Sequence, residues 1–150
     1  MNKIEFIKRT FEADKKKNIK PIFFYDVLID GISLFDELEC DENNSVCIFG
    51  YYDKKNLNID IINQFLKTKP SELDTGRISL FICRECGDIG CGATTIDIQK
   101  NENSYIWKKF AHENNSFELT EFDYLDVQPK EFKKNEYENA LNELKTKLLF

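Results

Sequence analysis

The chain has 150 residues, of which 41% are hydrophobic and 32% charged, and its formal net charge at pH 7 is −6. This length predicts a single domain, residues 1–150, that can bury its core without disulfide staples. The acidic balance argues against direct binding of nucleic acid, and the apolar runs are far too short to span a membrane. We expect a cytoplasmic protein, because the first residues lack the apolar block of a signal peptide and the five cysteines are an odd number that fits reduced thiols.

The first clear element is a strand over residues 22–29, which are rich in aromatic and β-branched side chains. Asp30-Gly31 then predicts a tight turn of the kind that accepts positive φ. After the turn the chain either continues into a short second strand or forms a short helix over 34–38 that is capped by Ser33. The pattern leaves both alternatives open.

Another strand is expected over 46–49, where Gly50 closes it. A helix follows that begins near Asn58 or Asp60 and continues to Lys67. Its apolar residues recur at helical spacing, and Pro70 ends the segment.

The second half predicts three consecutive strands over 78–83, 93–99 and 105–110, joined by short turns as in an antiparallel meander. The region from 112 to 130 is predicted to be irregular, with apolar anchors at Phe122, Tyr124, Leu125 and Val127. A C-terminal helix beginning near Asn135 has the clearest helical periodicity, at Tyr137, Leu141, Leu144 and Leu148. The chain is therefore predicted to be α+β: an antiparallel sheet packed with two or three helices.

The most distinctive motif is the glycine-rich run Cys-Arg-Glu-Cys-Gly-Asp-Ile-Gly-Cys-Gly over residues 83–92. A Cys-x-x-Cys pair brings two thiolates to one point, so Cys83 and Cys86 could hold one zinc ion with Cys91 as a third ligand. A closed structural site needs a fourth ligand, which only His112, Cys47 or Cys40 could supply. If the turn needs positive φ at Gly87 or Gly90, replacing that glycine with Val should destabilise the chain.

Two other interpretations of the cysteines stay open. A redox dithiol normally lies at a helix N-terminus, whereas here glycines and a strand follow. Alternatively, the cysteines are small apolar groups in a tight hairpin connection, with no cofactor bound. His112 has no aligned catalytic partner, so a surface position is expected for it, and no complete catalytic set is present. We therefore predict that the chain is not an enzyme.

Clustered carboxylates give two candidate surfaces for a basic protein partner. The first lies within residues 36–42 and the second within 118–126. Their members are Asp36, Glu37, Glu39, Asp41 and Glu42, and Glu118, Glu121, Asp123 and Asp126. The sequence does not choose between these surfaces.

A resemblance to a known family rests on motifs in residues 23–34, 76–80, 83–93 and 106–110. They resemble a family of small bacterial proteins, most of them uncharacterised, that share the signature Cys-x-Glu-Cys-Gly-Asp-(Leu/Ile)-Gly-Cys-Gly-Ala. In size and architecture, though not in motif, the chain is also similar to immunity proteins that neutralise toxins of contact-dependent or polymorphic systems. That likeness implies a cytoplasmic inhibitor that binds a cognate, basic bacterial toxin. The alternative is a small zinc- or thiol-dependent protein that uses Cys83, Cys86 and Cys91.

Overall fold

A computed structural model describes residues 1–149, which form two antiparallel sheets and three α-helices. The smaller sheet contains β1 (Ile4–Phe11), β2 (Ile22–Ile29) and β3 (Ile32–Ser33), in that order. Its β2–β3 turn has positive φ at both Asp30 and Gly31, as the sequence predicts. The chain is thus α+β, and the predicted class is confirmed.

The larger sheet has five strands in chain order, each antiparallel to the next. They are β4 (Ser45–Cys47), β5 (Ile78–Cys83), β6 (Ala93–Lys100), β7 (Ser104–Glu113) and β8 (Lys130–Lys133). The predicted meander is β5–β6–β7, and it is confirmed. Because β5 and β6 are neighbours, the cysteine run between them becomes a loop at one end of this sheet.

Three α-helices pack against the sheets: α1 (Leu34–Glu37), α2 (Lys55–Phe65) and α3 (Lys134–Leu148). Ser33 caps α1 by accepting a hydrogen bond from the Asp36 N–H at 3.1 Å, so both alternatives for this segment are partly realised. The predicted start of α2 near Asn58 or Asp60 is wrong, because the helix begins three residues before Asn58. Lys54 occupies its N-cap without a capping side chain, which is why no start signal is visible. No helix within 1–149 is long and apolar enough to cross a bilayer.

Aromatic side chains dominate the core where α3 covers the larger sheet. Trp107 and Tyr137 are fully buried, and the Trp107 indole N–H donates to the Tyr137 hydroxyl at 3.0 Å. That hydroxyl donates in turn to the Phe65 carbonyl at 2.7 Å, so α2, α3 and β7 meet at one satisfied polar pair. Trp107 is therefore part of the core.

The segment after β7 differs from its predicted packing. Leu125 and Val127 lie against the core, and the Leu125 N–H donates to the Phe110 carbonyl at 2.8 Å. Phe122, however, is 89% exposed, so its expected role as an anchor is wrong. It lies in the middle of a single turn of 3-10 helix, Glu121–Asp123, that Thr120 caps.

Candidate metal centre

The sulfur atoms of Cys83, Cys86 and Cys91 converge in the loop between β5 and β6. All three lie within 4.8 Å of one another, and the Cys86 and Cys91 sulfurs are 3.2 Å apart. Tetrahedral zinc with bonds of about 2.3 Å separates its thiolate ligands by about 3.8 Å, which falls within this range. The structure therefore brings together all three cysteines that the sequence singles out.

Backbone hydrogen bonds fold this loop into a compact knuckle. The Gly87 N–H donates to the Cys83 carbonyl at 2.9 Å, and the Asp88 N–H donates to the Cys86 sulfur at 3.4 Å. The Asp88 carboxylate then accepts from the Gly90 N–H at 2.9 Å and starts the turn of 3-10 helix that carries Cys91. Two of these three bonds go to oxygen atoms and one goes to a sulfur, so the loop conformation depends mainly on contacts other than those of the thiols.

Of the two glycines considered for positive φ, Gly87 has it and Gly90 does not. Gly87 has φ +68°, and a Cβ there would lie 2.9 Å from both a Tyr51 ring carbon and the Tyr52 hydroxyl. Gly90 has no positive φ, and the nearest atom to its Cβ would be 3.5 Å away. The second glycine with positive φ in the loop is Gly92, at +91°, where the chain enters β6.

Two tyrosines and a buried arginine hold the knuckle on the body of the protein. The Tyr51 and Tyr52 hydroxyls donate to the carbonyls of Arg84 and Gly87 at 3.1 and 3.4 Å. The Arg84 guanidinium, between the first two cysteines, donates to the carbonyls of Glu42 and Lys20 at 2.7 and 2.5 Å. The loop is thereby tied to the segments that lead into β2 and β4.

These three supporting residues are missing from the sequence-based site. Arg84 lies inside the motif, but its burial depends on carbonyls 42 and 64 positions away. Tyr51 and Tyr52 come from a different turn of the chain. In the sequence they are marked only as two adjacent aromatic residues after Gly50, and this pattern does not indicate a contact with the cysteines.

Electrostatics limits how many of these thiols can ionise without a cation. Burial opposes ionisation of Cys83, but hydrogen bonds from the Cys86 and Glu85 N–H groups outweigh it and lower the pKa of this thiol. The pKa of Cys91 is raised to about 12, first by its hydrogen bonds to the other two thiols and then by their charge. A divalent cation would offset this repulsion, because a thiol that coordinates a metal ion loses its proton and the cation balances the resulting negative charge.

None of the expected fourth ligands joins the cluster. Cys47 is fully buried in β4, where it pairs in register with Phe81, and burial raises its pKa well above the ordinary value. Cys40 is half-buried after α1, and burial raises its pKa to about 12. His112 is exposed on β7 opposite Thr94, as predicted for a surface residue. Among residues 1–149, the cluster contains Cys83, Cys86 and Cys91 and no other cysteine, histidine or carboxylate.

This donor set fits a soft, tetrahedral metal ion better than a hard one. Thiolates favour zinc, whereas magnesium and calcium take oxygen ligands. Two of the three cysteines are exposed, so a metal here could take a fourth ligand from solvent or from another molecule. Asn115, just after β7, approaches the same loop: its Oδ1 would lie 3.6 Å from a Cβ on Gly90.

The two acidic surfaces differ in how their carboxylates are used. In the first, Asp36 pairs with Arg9 at 3.1 Å and Glu37 pairs with Lys130 at 3.4 Å. Asp41 accepts from the Asn43 N–H and the Asn44 amide, so this surface is largely engaged within the chain. The remaining members, Glu39 and Glu42, are exposed.

In the second surface, Asp123 accepts from the Thr120 N–H at 2.7 Å, whereas Glu118, Glu121 and Asp126 are exposed. Phe117 and Phe122 stand beside them and are 79% and 89% exposed. These three carboxylates form no ion pair within residues 1–149, so the second surface combines free charge with apolar rings.

Comparisons with protein-family models, with curated proteins and with solved structures find no match for this chain. The family signature carried by residues 83–93 stays a prediction. Function is therefore argued from the geometry of the cysteine loop and of the exposed surfaces.

Proposed function

We propose that the chain is a zinc-binding protein in which Cys83, Cys86 and Cys91 hold one ion. The observation that carries this proposal is the approach of three sulfurs to within 4.8 Å of one another in an exposed loop. Soft thiolates at Cys-x-x-Cys spacing are typical zinc ligands. The zinc would fix the β5–β6 loop, and a fourth ligand would come from outside the described residues.

Metal analysis of protein purified without chelator tests this proposal. We expect about one zinc per chain, because structural zinc binds tightly. Cys86→Ser and Cys91→Ser should each lower the zinc content at least tenfold, since each removes one of three ligands. Cys40→Ser is the matched control and should keep its zinc, because Cys40 lies outside the cluster. Zinc below about one ion per five chains in the unaltered protein would contradict the proposal.

A second function is favoured by the exposed rings beside carboxylates that form no ion pair in the described part of the chain. We propose that residues 117–126 dock on a basic protein, and that the chain acts as a cytoplasmic immunity protein that neutralises a cognate bacterial toxin. Aromatic side chains commonly anchor interfaces, and carboxylates around them speed the capture of a cationic partner. Phe117 and Phe122 supply the rings, and Glu118, Glu121 and Asp126 supply the charge. Neither proposed function requires the chain to turn over a substrate.

Co-expression with the toxin-like product of a neighbouring gene tests the second function. We expect protection of the cells and a 1:1 complex on size exclusion. Phe117→Ser with Phe122→Ser should weaken the complex at least a hundredfold, because aromatic hot spots cost about 2 kcal/mol or more each. Ile7→Ser with Ile32→Ser changes two other exposed apolar residues, on the smaller sheet, and should leave affinity unchanged. Equal loss in both double variants, or no protection at all, would contradict the docking role.

A further inference from the structure

A second candidate ligand site is an open groove that Tyr51 and Tyr52, the two tyrosines that contact the cysteine loop, also line. It has a cavity volume of about 1030 Å³, near the upper end for small-molecule sites. Its walls come from β1 and β2, from the turn at 50–53, from the first turn of α2 and from the last turn of α3. These elements are far apart in sequence, so no motif marks the groove.

The groove is basic although the whole chain is acidic. Four lysines line it against one carboxylate, whereas the net charge of the chain is −6. The lysines are Lys8, Lys54, Lys55 and Lys147, and the carboxylate is Asp53. Within residues 1–149, none of these lysines lies within ion-pair distance of a carboxylate. The local field therefore favours an anion.

The N-terminus of α2 opens into the same groove. Lys54 is its N-cap, no side chain caps the helix, and its first turn carries no acidic residue. The first backbone N–H groups of a helix have no intrahelical partner and attract anions, above all phosphate. Lysines at this end oppose the helix dipole, so their placement is unfavourable for the isolated helix and favourable for a bound anion.

Asn58, one turn into α2, lines the groove and has an unmet hydrogen bond. Its amide nitrogen donates to the Tyr52 carbonyl at 2.9 Å, which fixes the orientation of the side chain. The residue is only 6% exposed, and its Oδ1 accepts no hydrogen bond from the described part of the chain. A buried acceptor without a donor is costly, so it indicates a missing partner at this end of the groove.

Aromatic faces line the rest of the groove. Phe23 is 48% exposed, with the Lys8 ammonium 4.4 Å from its ring centre. Tyr51 and Tyr52 pack edge to face, with ring centres 4.9 Å apart. Aromatic rings beside cationic groups are what phosphate-bearing bases stack on, and such stacking does not depend on the identity of the base.

We infer that this groove binds a nucleotide. Its phosphate lies at the N-terminus of α2 beside Lys54 and Lys55, and its base stacks on the aromatic wall. The Asn58 Oδ1 exposes less than 1 Å² of surface, so this side chain turns toward the ligand to accept a hydrogen bond from a donor group. The inference does not depend on zinc or on a toxin partner, because it uses none of the three cysteines and none of residues 117–126.

A heteronuclear NMR titration of the zinc-loaded protein with AMP tests the inference, with inorganic phosphate and adenosine as separate probes. We expect AMP to shift the amide signals of residues 51–58 and to bind at least tenfold more tightly than either fragment. Absence of these shifts at millimolar AMP in 0.1 M salt would overturn the inference. Phosphate binding as tightly as AMP would also overturn it, because the aromatic wall would then have no role.

Charge and ring variants localise the binding. Lys54→Glu with Lys55→Glu should weaken AMP binding at least tenfold, whereas Lys15→Glu with Lys16→Glu makes the same charge change outside the groove and should alter it less than twofold. At 0.1 M salt, charges more than about 10 Å away are largely screened. Phe23→Ser changes no charge and should weaken binding at least fivefold, with the melting temperature checked for each variant. Equal weakening by both lysine pairs would overturn the assignment to the groove.

Discussion

The cysteine loop and the contact between α3 and β7 are held together in opposite ways. Tyr137, Leu141 and Leu144 of α3 are buried, and they pack in a core where every hydroxyl and indole N–H finds a partner. In the loop, two of three cysteines are exposed, and hydrogen bonds to backbone carbonyls replace apolar burial. We therefore expect the core to stay folded without a metal, and the loop to be the part that a bound metal would stabilise.

The helix contact should be the most sensitive part of the chain. Leu144→Asp buries a carboxylate at a side chain that is 1% exposed, so we expect a loss of at least about 4 kcal/mol in the free energy of unfolding, or no folded protein. Glu143→Gln, one residue earlier on the exposed face, should change it by less than about 0.5 kcal/mol. Urea unfolding measures both. A small effect of Leu144→Asp would show that α3 does not cover the core.

Removal of zinc should lower the free energy of unfolding without unfolding the protein. If free zinc stands about a thousandfold above its dissociation constant, the bound ion contributes about 4 kcal/mol, which a chelator removes. We expect EDTA to lower the melting temperature while far-ultraviolet circular dichroism at 25 °C stays unchanged. Cys86→Ser should show no response to EDTA. Complete unfolding by EDTA would contradict the contrast between loop and core.

Replacing Gly87 or Gly90 by alanine should have very different effects on stability, although both glycines lie in the cysteine loop. Gly87→Ala should cost about 2–3 kcal/mol, because it combines positive φ with a Cβ that meets two tyrosines. Gly90→Ala should cost less than about 0.5 kcal/mol, since its Cβ would have ordinary contacts. Thermal and urea unfolding of the two variants test this pair. Equal losses would mean that the tyrosines do not pack against the knuckle.

Sequence reasoning succeeded where the determining contacts are local. The meander follows from short-range alternation, and the cysteines converge because the chain reverses within nine residues, from Cys83 to Cys91. β1 was not predicted, since its exposed and buried residues do not alternate regularly. The support from Arg84 and the basic groove could not be predicted, because each joins residues that are distant along the chain.

X-ray absorption at the zinc edge tests the central claim most directly. Bound zinc should show three sulfur atoms at about 2.3 Å and one nitrogen or oxygen at about 2.0 Å. Loss of one sulfur in Cys91→Ser, with no change in Cys40→Ser, would agree with this coordination. Four sulfur ligands, or zinc surrounded only by nitrogen and oxygen, would contradict a three-cysteine centre in this loop.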